Sequence, residues 1–185
     1  NSFSVINHNK KVGCDANEYV IALWKEIQAG TFIAPTVVTE MLYNDIKKDY
    51  LEKTGIYPKS LIGYVGFACS YGSGWWNGYA HYNEKKKENH IIEARNGINK
   101  QINEFKGLKN SIFIKCDYKK LILTESSFIF CNVPINDKFN HKKFWDWCEK
   151  QVEDFLFCYL GNRKIKRLEN SLLSIKDGKL ISGAT

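Results

Sequence analysis

Three polar residues each follow an apolar run of strand length: Asp15 after Lys11–Cys14, Asp117 after Ile112–Cys116, and Asn132 after Phe128–Cys131. In an open parallel sheet, ligands bind beyond the carboxyl ends of the strands, and an acid after a strand commonly holds a ribose. Any one of these residues also serves as an ordinary turn former or cap. Three in order read as the rim of a nucleotide-type pocket.

Other chemistries find no support. No Gly-x-Ser-x-Gly elbow presents a serine nucleophile, and no Gly-x-x-x-x-Gly-Lys loop cradles a phosphate. Gly72-x-Gly74 leads into Trp75, Trp76 and Gly78, which suit a hairpin better than the helix start of a dinucleotide fingerprint. His81, His90 and His141 lie in polar surroundings and read as surface residues. The six cysteines include no C-x-x-C pair and no histidine joins them at ligand spacing, so no metal site is expected. Cys131 lies in an apolar run, where a free thiol acts as a small core residue. Free thiols point to a reducing compartment, cytoplasm or nucleus; a virion is the setting only if the chain is a structural subunit.

The elements that must position the three strand ends follow from periodicity. Asn17 reads as a cap for a helix carrying Tyr19, Val20, Leu23, Trp24 and Ile27 on one stripe, and Gly30 stops it. Pro35 is expected to open a second helix, with Val38, Met41, Leu42 and Ile46 as its apolar stripe and Gly55 and Pro58 beyond its end. The stretch 60–82 holds five glycines among its aromatics, and 72–78 reads as hairpin or loop. A long Lys-rich helix is expected from about Asn83 to Phe105, weakened at Gly97. Asn140 caps a helix over His141–Val152, Phe155–Leu160 reads as a last strand, and the tail is polar with little period.

Strands alternating with helices predict an α/β sheet. The length of 185 residues suits one domain, 1–185, with 36–110 as an inserted region. No apolar run approaches the length that spans a bilayer, and no signal peptide opens the chain, so no membrane partner is expected. The net charge is +7, and residues 81–120 hold ten Lys/Arg against five Asp/Glu. Such a local basic excess reads either as a solvated helix face or as a surface for a polyanionic partner, nucleic acid first.

The run Leu61-Ile62-Gly63-Tyr64-Val65-Gly66-Phe67-Ala68-Cys69-Ser70-Tyr71-Gly72-Ser73-Gly74-Trp75-Trp76-Asn77-Gly78-Tyr79-Ala80 resembles the Gly/aromatic signature of phage-type DNA adenine-N6 methyltransferases. Phe139-Asn140-His141-Lys142-Lys143-Phe144-Trp145-Asp146-Trp147 resembles the segment that follows their catalytic motif. The resemblance covers most of 11–185 in the right order. It implies the Rossmann-like, S-adenosylmethionine-dependent methyltransferase sheet with an inserted helical and hairpin target-recognition region. It implies that Asp15 binds the cofactor ribose and that Asp117 contacts its adenine. It also places Tyr71, Ser73, Trp75, Trp76, Asn77, Lys85, Lys86 and Lys87 against DNA. In such an interface cations meet phosphates, and aromatics stack on or wedge between bases.

The sequence departs from the family at its catalytic Asp-Pro-Pro-Tyr, where it reads Asn132-Val133-Pro134-Ile135. That motif holds the amino group of an extruded adenine and stacks on its ring. Asn132 keeps an oxygen acceptor, Val133 frees a backbone that proline would fix, and Ile135 offers no π face. The family also opens with a glycine loop and first strand that have no counterpart ahead of Asp15. The sheet is therefore expected to be incomplete at its N-terminus, with an edge that a protein partner would cover. These departures lead to the expectation of a chain that does not methylate DNA alone and binds nucleic acid or builds an assembly. An active methyltransferase completed by further sequence or another chain is one alternative, and a structural subunit of a ribonucleoprotein or virion is another.

Overall fold

Strand β1 (Lys11–Asp15) ends in a turn that its last residue builds, because the Asp15 carboxylate accepts from the Asn17 N–H at 2.7 Å. Asn17 in turn caps helix α1 (Glu18–Ala29), accepting from the N–H groups of Tyr19 at 3.0 Å and Val20 at 3.4 Å. Two orphan donors of the first helical turn are satisfied this way. Gly30 ends the helix at φ 72°, a left-handed cap that a residue without Cβ adopts freely. The computed structural model describes residues 11–82, 84, 89–103, 111–121, 129–132, 140–151, 155–158, 173–176 and 179–182.

Helix α2 (Glu40–Glu52) begins five residues later than Pro35 predicts. Thr39 is the cap, its hydroxyl accepting from Leu42 N–H at 3.2 Å. Pro35 biases the preceding residue toward extended backbone, and the extended path lets Phe32, Ala34 and Val38 all reach the core. The helix ends at Lys53, φ 56°, followed by Gly55 at φ 73°. Asp49, buried on α2, organises this exit by accepting from the Thr54 hydroxyl and from Ile56 N–H at 3.1 Å and Tyr57 N–H at 2.9 Å.

Helix α3 (Lys59–Ala68) was not foreseen, because its two glycines argue against a helix. Packing overrides that propensity. A Cβ on Gly63 would lie 2.3 Å from the Tyr19 carbonyl oxygen, and one on Gly66 would lie 2.4 Å from the Trp75 ring. The glycines let the α1 backbone and an indole close onto a helix buried on most sides, with Tyr64 and Val65 almost fully enclosed. Leu23 and Ile27 of α1 join Tyr43 and Ile46 of α2, Ile62 and Val65 of α3, Trp76, and Ile91 and Ile98 of α4 in one core. Helix α4 (His90–Asn103) starts well after the expected Asn83, with Asn89 accepting from Ile92 N–H at 3.1 Å.

Strand β2 (Ser111–Lys115) pairs with β1 in parallel, Lys11 opposite Ser111 and Asp15 opposite Lys115. Phe113 fills the space left by Gly13 and stacks on Trp24 of α1 with centroids 5.9 Å apart. This contact seats α1 on the strand pair.

The chain divides into two compact units, 1–118 and 119–185. In the second, β3 (Ile129–Asn132) pairs in parallel with β4 (Phe155–Cys158). Helix α5 (His141–Gln151) is capped as expected, Asn140 accepting from Lys143 N–H at 2.9 Å, and buries Phe144 and Cys148. The tail, read as irregular, carries an antiparallel hairpin of β5 (Leu173–Lys176) and β6 (Lys179–Ser182). Among the described residues the strands form three two-stranded sheets in a mixed α/β architecture. No helix among them is long and apolar enough to cross a membrane.

Candidate functional site

Asp15 ends β1 and Asp117 lies two residues beyond the end of β2, so both stand at the carboxyl end of the parallel pair. The ladder runs one bond past Asp15, with Cys116 N–H donating to the Asp15 carbonyl at 3.0 Å. Asp15 as a residue is open to solvent, yet its carboxyl is crowded by protein, and this desolvation raises its pKa above the ordinary 3.8 against the opposing Asn17 N–H. Both acids follow a cysteine, a repeated Cys-Asp pair that sequence reading passed over. The Cys14 thiol donates to the Cys116 carbonyl at 3.1 Å, and the Cys116 thiol to the Asp117 carbonyl at 3.1 Å. Burial, then the neighbouring Cys116, pushes the Cys14 thiol up to about 12. It is a protonated donor across the neutral range.

A small ion network borders these ends. Glu18, in the first turn of α1, takes Lys59 of α3 at 2.9 Å and Lys115 of β2 at 3.6 Å. The hydrogen bond from Lys59 leads in lowering the Glu18 pKa. All three side chains are more than a third exposed, so the network orders the rim more than it stabilises the fold.

The glycine-aromatic stretch forms a loop closed by a bridge between Ser70 and Tyr79, with a single 3-10 turn at Tyr71–Ser73. Its interior is pinned by polar contacts. Tyr43 and Ser70 share a 2.9 Å hydroxyl bond, Ser70 also donates to the Gly66 carbonyl at 2.8 Å, and the Tyr79 hydroxyl donates to the Val38 carbonyl at 2.7 Å. Ser73 and Trp76 both hold φ near +53°, a conformation that side chains adopt at a cost. For Trp76 the surroundings impose it: its N–H donates to the Gly66 carbonyl at 2.9 Å and its carbonyl accepts from Lys47 at 3.4 Å.

The tryptophans do not face outward as the sequence suggested. Trp76 is 9% exposed and packs on Tyr43 and Tyr50, with centroids at 5.2 and 5.6 Å. Trp75 lies on Phe67 at 4.8 Å, and its ring N–H donates to the Tyr50 hydroxyl at 3.3 Å. Gly66 of α3 makes room for the Trp75 ring, which a Cβ there would meet at 2.4 Å. What the loop offers to solvent is Tyr71, 67% exposed, with Ser73 and Asn77. Asn77 steadies this outer face by donating to the Tyr71 carbonyl at 3.2 Å.

The remaining expected site residues are placed less fully. Asn132 ends β3 opposite Cys158 in the second unit. Val133, Pro134, Ile135, Lys85, Lys86 and Lys87 lie outside the described residues. His81 and His90 stand beside Glu40 at 3.6 Å and Glu93 at 3.3 Å, both largely solvent-facing pairs. Among the described residues, no group of three or more His, Cys, Asp or Glu is arranged to hold a metal ion. No family model and no curated protein matches the chain.

Proposed function

We propose that this chain is a relative of the adenine-N6 DNA methyltransferases that binds nucleic acid without methylating it, DNA being the favoured partner. The observation that carries the reading is the loop of residues 70–79. Its indoles turn inward as anchors, leaving Tyr71, Ser73 and Asn77 on the outside as one aromatic and two hydrogen-bonding side chains. A fixed loop with a free aromatic suits stacking on or wedging between bases. The basic excess of residues 81–120 supplies the phosphate attraction.

The strand ends fit the adenosyl part of S-adenosylmethionine in chemical type. Asp15 and Asp117 are oxygen acceptors at neighbouring strand ends, suited to ribose hydroxyls and to the adenine amino group. When bound, that cofactor supplies an electrophilic methyl group. The chain's own part in a transfer would be to hold the target base. Asn132 retains an acceptor for the adenine amino group, while Ile135 forgoes a stacking contribution of about 1–3 kcal/mol. That loss supports a binding role over catalysis.

A gel-shift titration with duplex DNA at several salt concentrations, run beside a methyl-transfer assay, separates the readings. Salt-sensitive retention of DNA with no adenine methylation is the expected result. Retention with methylation would replace the proposal by an active methyltransferase that uses Asn132. Absence of any salt-sensitive retention would leave a structural role in an assembly.

A further inference from the structure

The repeated Cys-Asp pair places two thiols, 102 residues apart in sequence, at one end of two hydrogen-bonded strands. In the β1–β2 register Cys14 lies opposite Ile114, so Cys116, two residues on, falls on the same sheet face. The bond from Asp15 to Cys116 N–H keeps the two backbones laddered up to that point. The Cys14 sulfur already lies 3.1 Å from the Cys116 carbonyl oxygen, and neither thiol is fully buried. Cys69 and Cys148, by contrast, are sealed in the two cores and fully enclosed.

We propose that Cys14 and Cys116 are a redox-responsive thiol pair that a hydroperoxide oxidises to a disulfide bridging the carboxyl ends of β1 and β2. The Cys116 thiolate attacks one peroxide oxygen, the O–O bond breaks, and the departing alkoxide or hydroxide takes up a proton. Cys116 is then a sulfenic acid, two electrons oxidised. The Cys14 sulfur attacks the Cys116 sulfur, the S–S bond forms, and hydroxide leaves, taking the Cys14 proton to give water. In sum, two thiols and one hydroperoxide give one disulfide, one alcohol (or water) and one water. Burial and the neighbours Cys116, Asp15 and Asp117 hold Cys14 protonated, which suits it to the second, resolving step.

The bridge closes a long loop and joins the strands beside both Asp15 and Asp117, so oxidation fixes the strand ends that carry the two acids. The inference stands on these two thiols alone and is independent of what the chain binds.

The test uses the full chain, reduced and then treated with hydrogen peroxide, with remaining thiols blocked by a maleimide before proteolysis and mass mapping. The expected result is a cross-linked peptide pair joining Cys14 to Cys116, formed about tenfold faster than any modification of Cys69 or Cys148. Cys14→Ser is expected to trap Cys116 as a sulfenic acid that dimedone labels, and native thermal unfolding is expected to shift upward on oxidation of the wild type. Recovery of both thiols as maleimide adducts after treatment, or bridges only between other cysteines, would overturn the proposal. The cross-link map needs no variant, so a misfolded Cys14→Ser protein leaves the test intact.

Discussion

The loop of residues 70–79 and the ends of β1 and β2 both leave regular structure, yet they are finished differently. In the loop, Ser70, Tyr79 and Asn77 each spend their polar atoms on a named partner, and the strain at Ser73 and Trp76 is held by packing and backbone bonds. At the strand ends, Asp15 accepts from one N–H among the described residues and has a desolvated carboxyl, beside two unbridged thiols. Asp49 sharpens the contrast, because it is an acid of the first kind with a hydroxyl and backbone N–H groups converging on it. A carboxylate whose acceptors are filled holds the fold together. One that is crowded and desolvated has its pKa displaced, as titratable groups at functional sites commonly do.

Substitutions in each region put the contrast to the test. Trp76→Ala should have the largest effect, about 3–5 kcal/mol of lost stability in chemical denaturation, since it empties the centre of the aromatic core. An effect below about 1 kcal/mol would mean the indole is a surface group after all. Gly63→Ala should cost about 1–3 kcal/mol, because the new methyl meets the Tyr19 backbone, which cannot rotate away.

Asp49→Asn should lower the thermal midpoint by about 3 °C at neutral pH. The pH dependence is the clearer signature. The Asp49 pKa is lowered, chiefly by the Thr54 hydroxyl and then by the Tyr57 N–H. Its stabilisation is thus present above the unfolded carboxyl value and lost as pH falls through the folded one, and the Asn variant should lack that acid loss. Asp15→Asn should act in the opposite sense. The raised Asp15 pKa means the folded state holds its proton longer, so stability declines as pH rises from the unfolded value through the folded one. Removing the charge should stabilise the fold slightly at neutral pH, by less than about 1 kcal/mol given solvent screening. Circular dichroism melts from pH 3 to 7 read both signs. Tyr71→Ala should be the mildest for stability, within about 0.5 kcal/mol of wild type, because its ring touches mostly water.

Local signals in the sequence were legible where one residue decides the outcome. Asn17, Gly30 and Asn140 set helix ends by their own side chains or lack of one, and the apolar runs before Asp15, Asp117 and Asn132 are all strands. What escaped depends on residues distant in sequence. Gly63 and Gly66 look like helix breakers until Tyr19 and Trp75 close on them. The same closure turns Trp75 and Trp76 inward, so the aromatic side of the expected nucleic-acid surface shrinks to Tyr71. The start of α2 went to Thr39 because Phe32, Ala34 and Val38 needed an extended path to the core. The tail hairpin did have a local signal, Asp177-Gly178 between β5 and β6, a dipeptide favoured in two-residue turns. The acids at the strand ends were found by position, while the thiols before them became visible only once the register of β1 and β2 was known.

Fluorescence anisotropy of a labelled duplex, titrated with the wild type and with Tyr71→Ala at low and physiological salt, bears most directly on the loop as a nucleic-acid contact. Wild-type binding should weaken steeply with salt, and Tyr71→Ala should lose about 1–3 kcal/mol more, the worth of one stacked base, with its thermal melt unchanged. Equal affinities for the two proteins, or no salt-dependent binding by either, would contradict that contact.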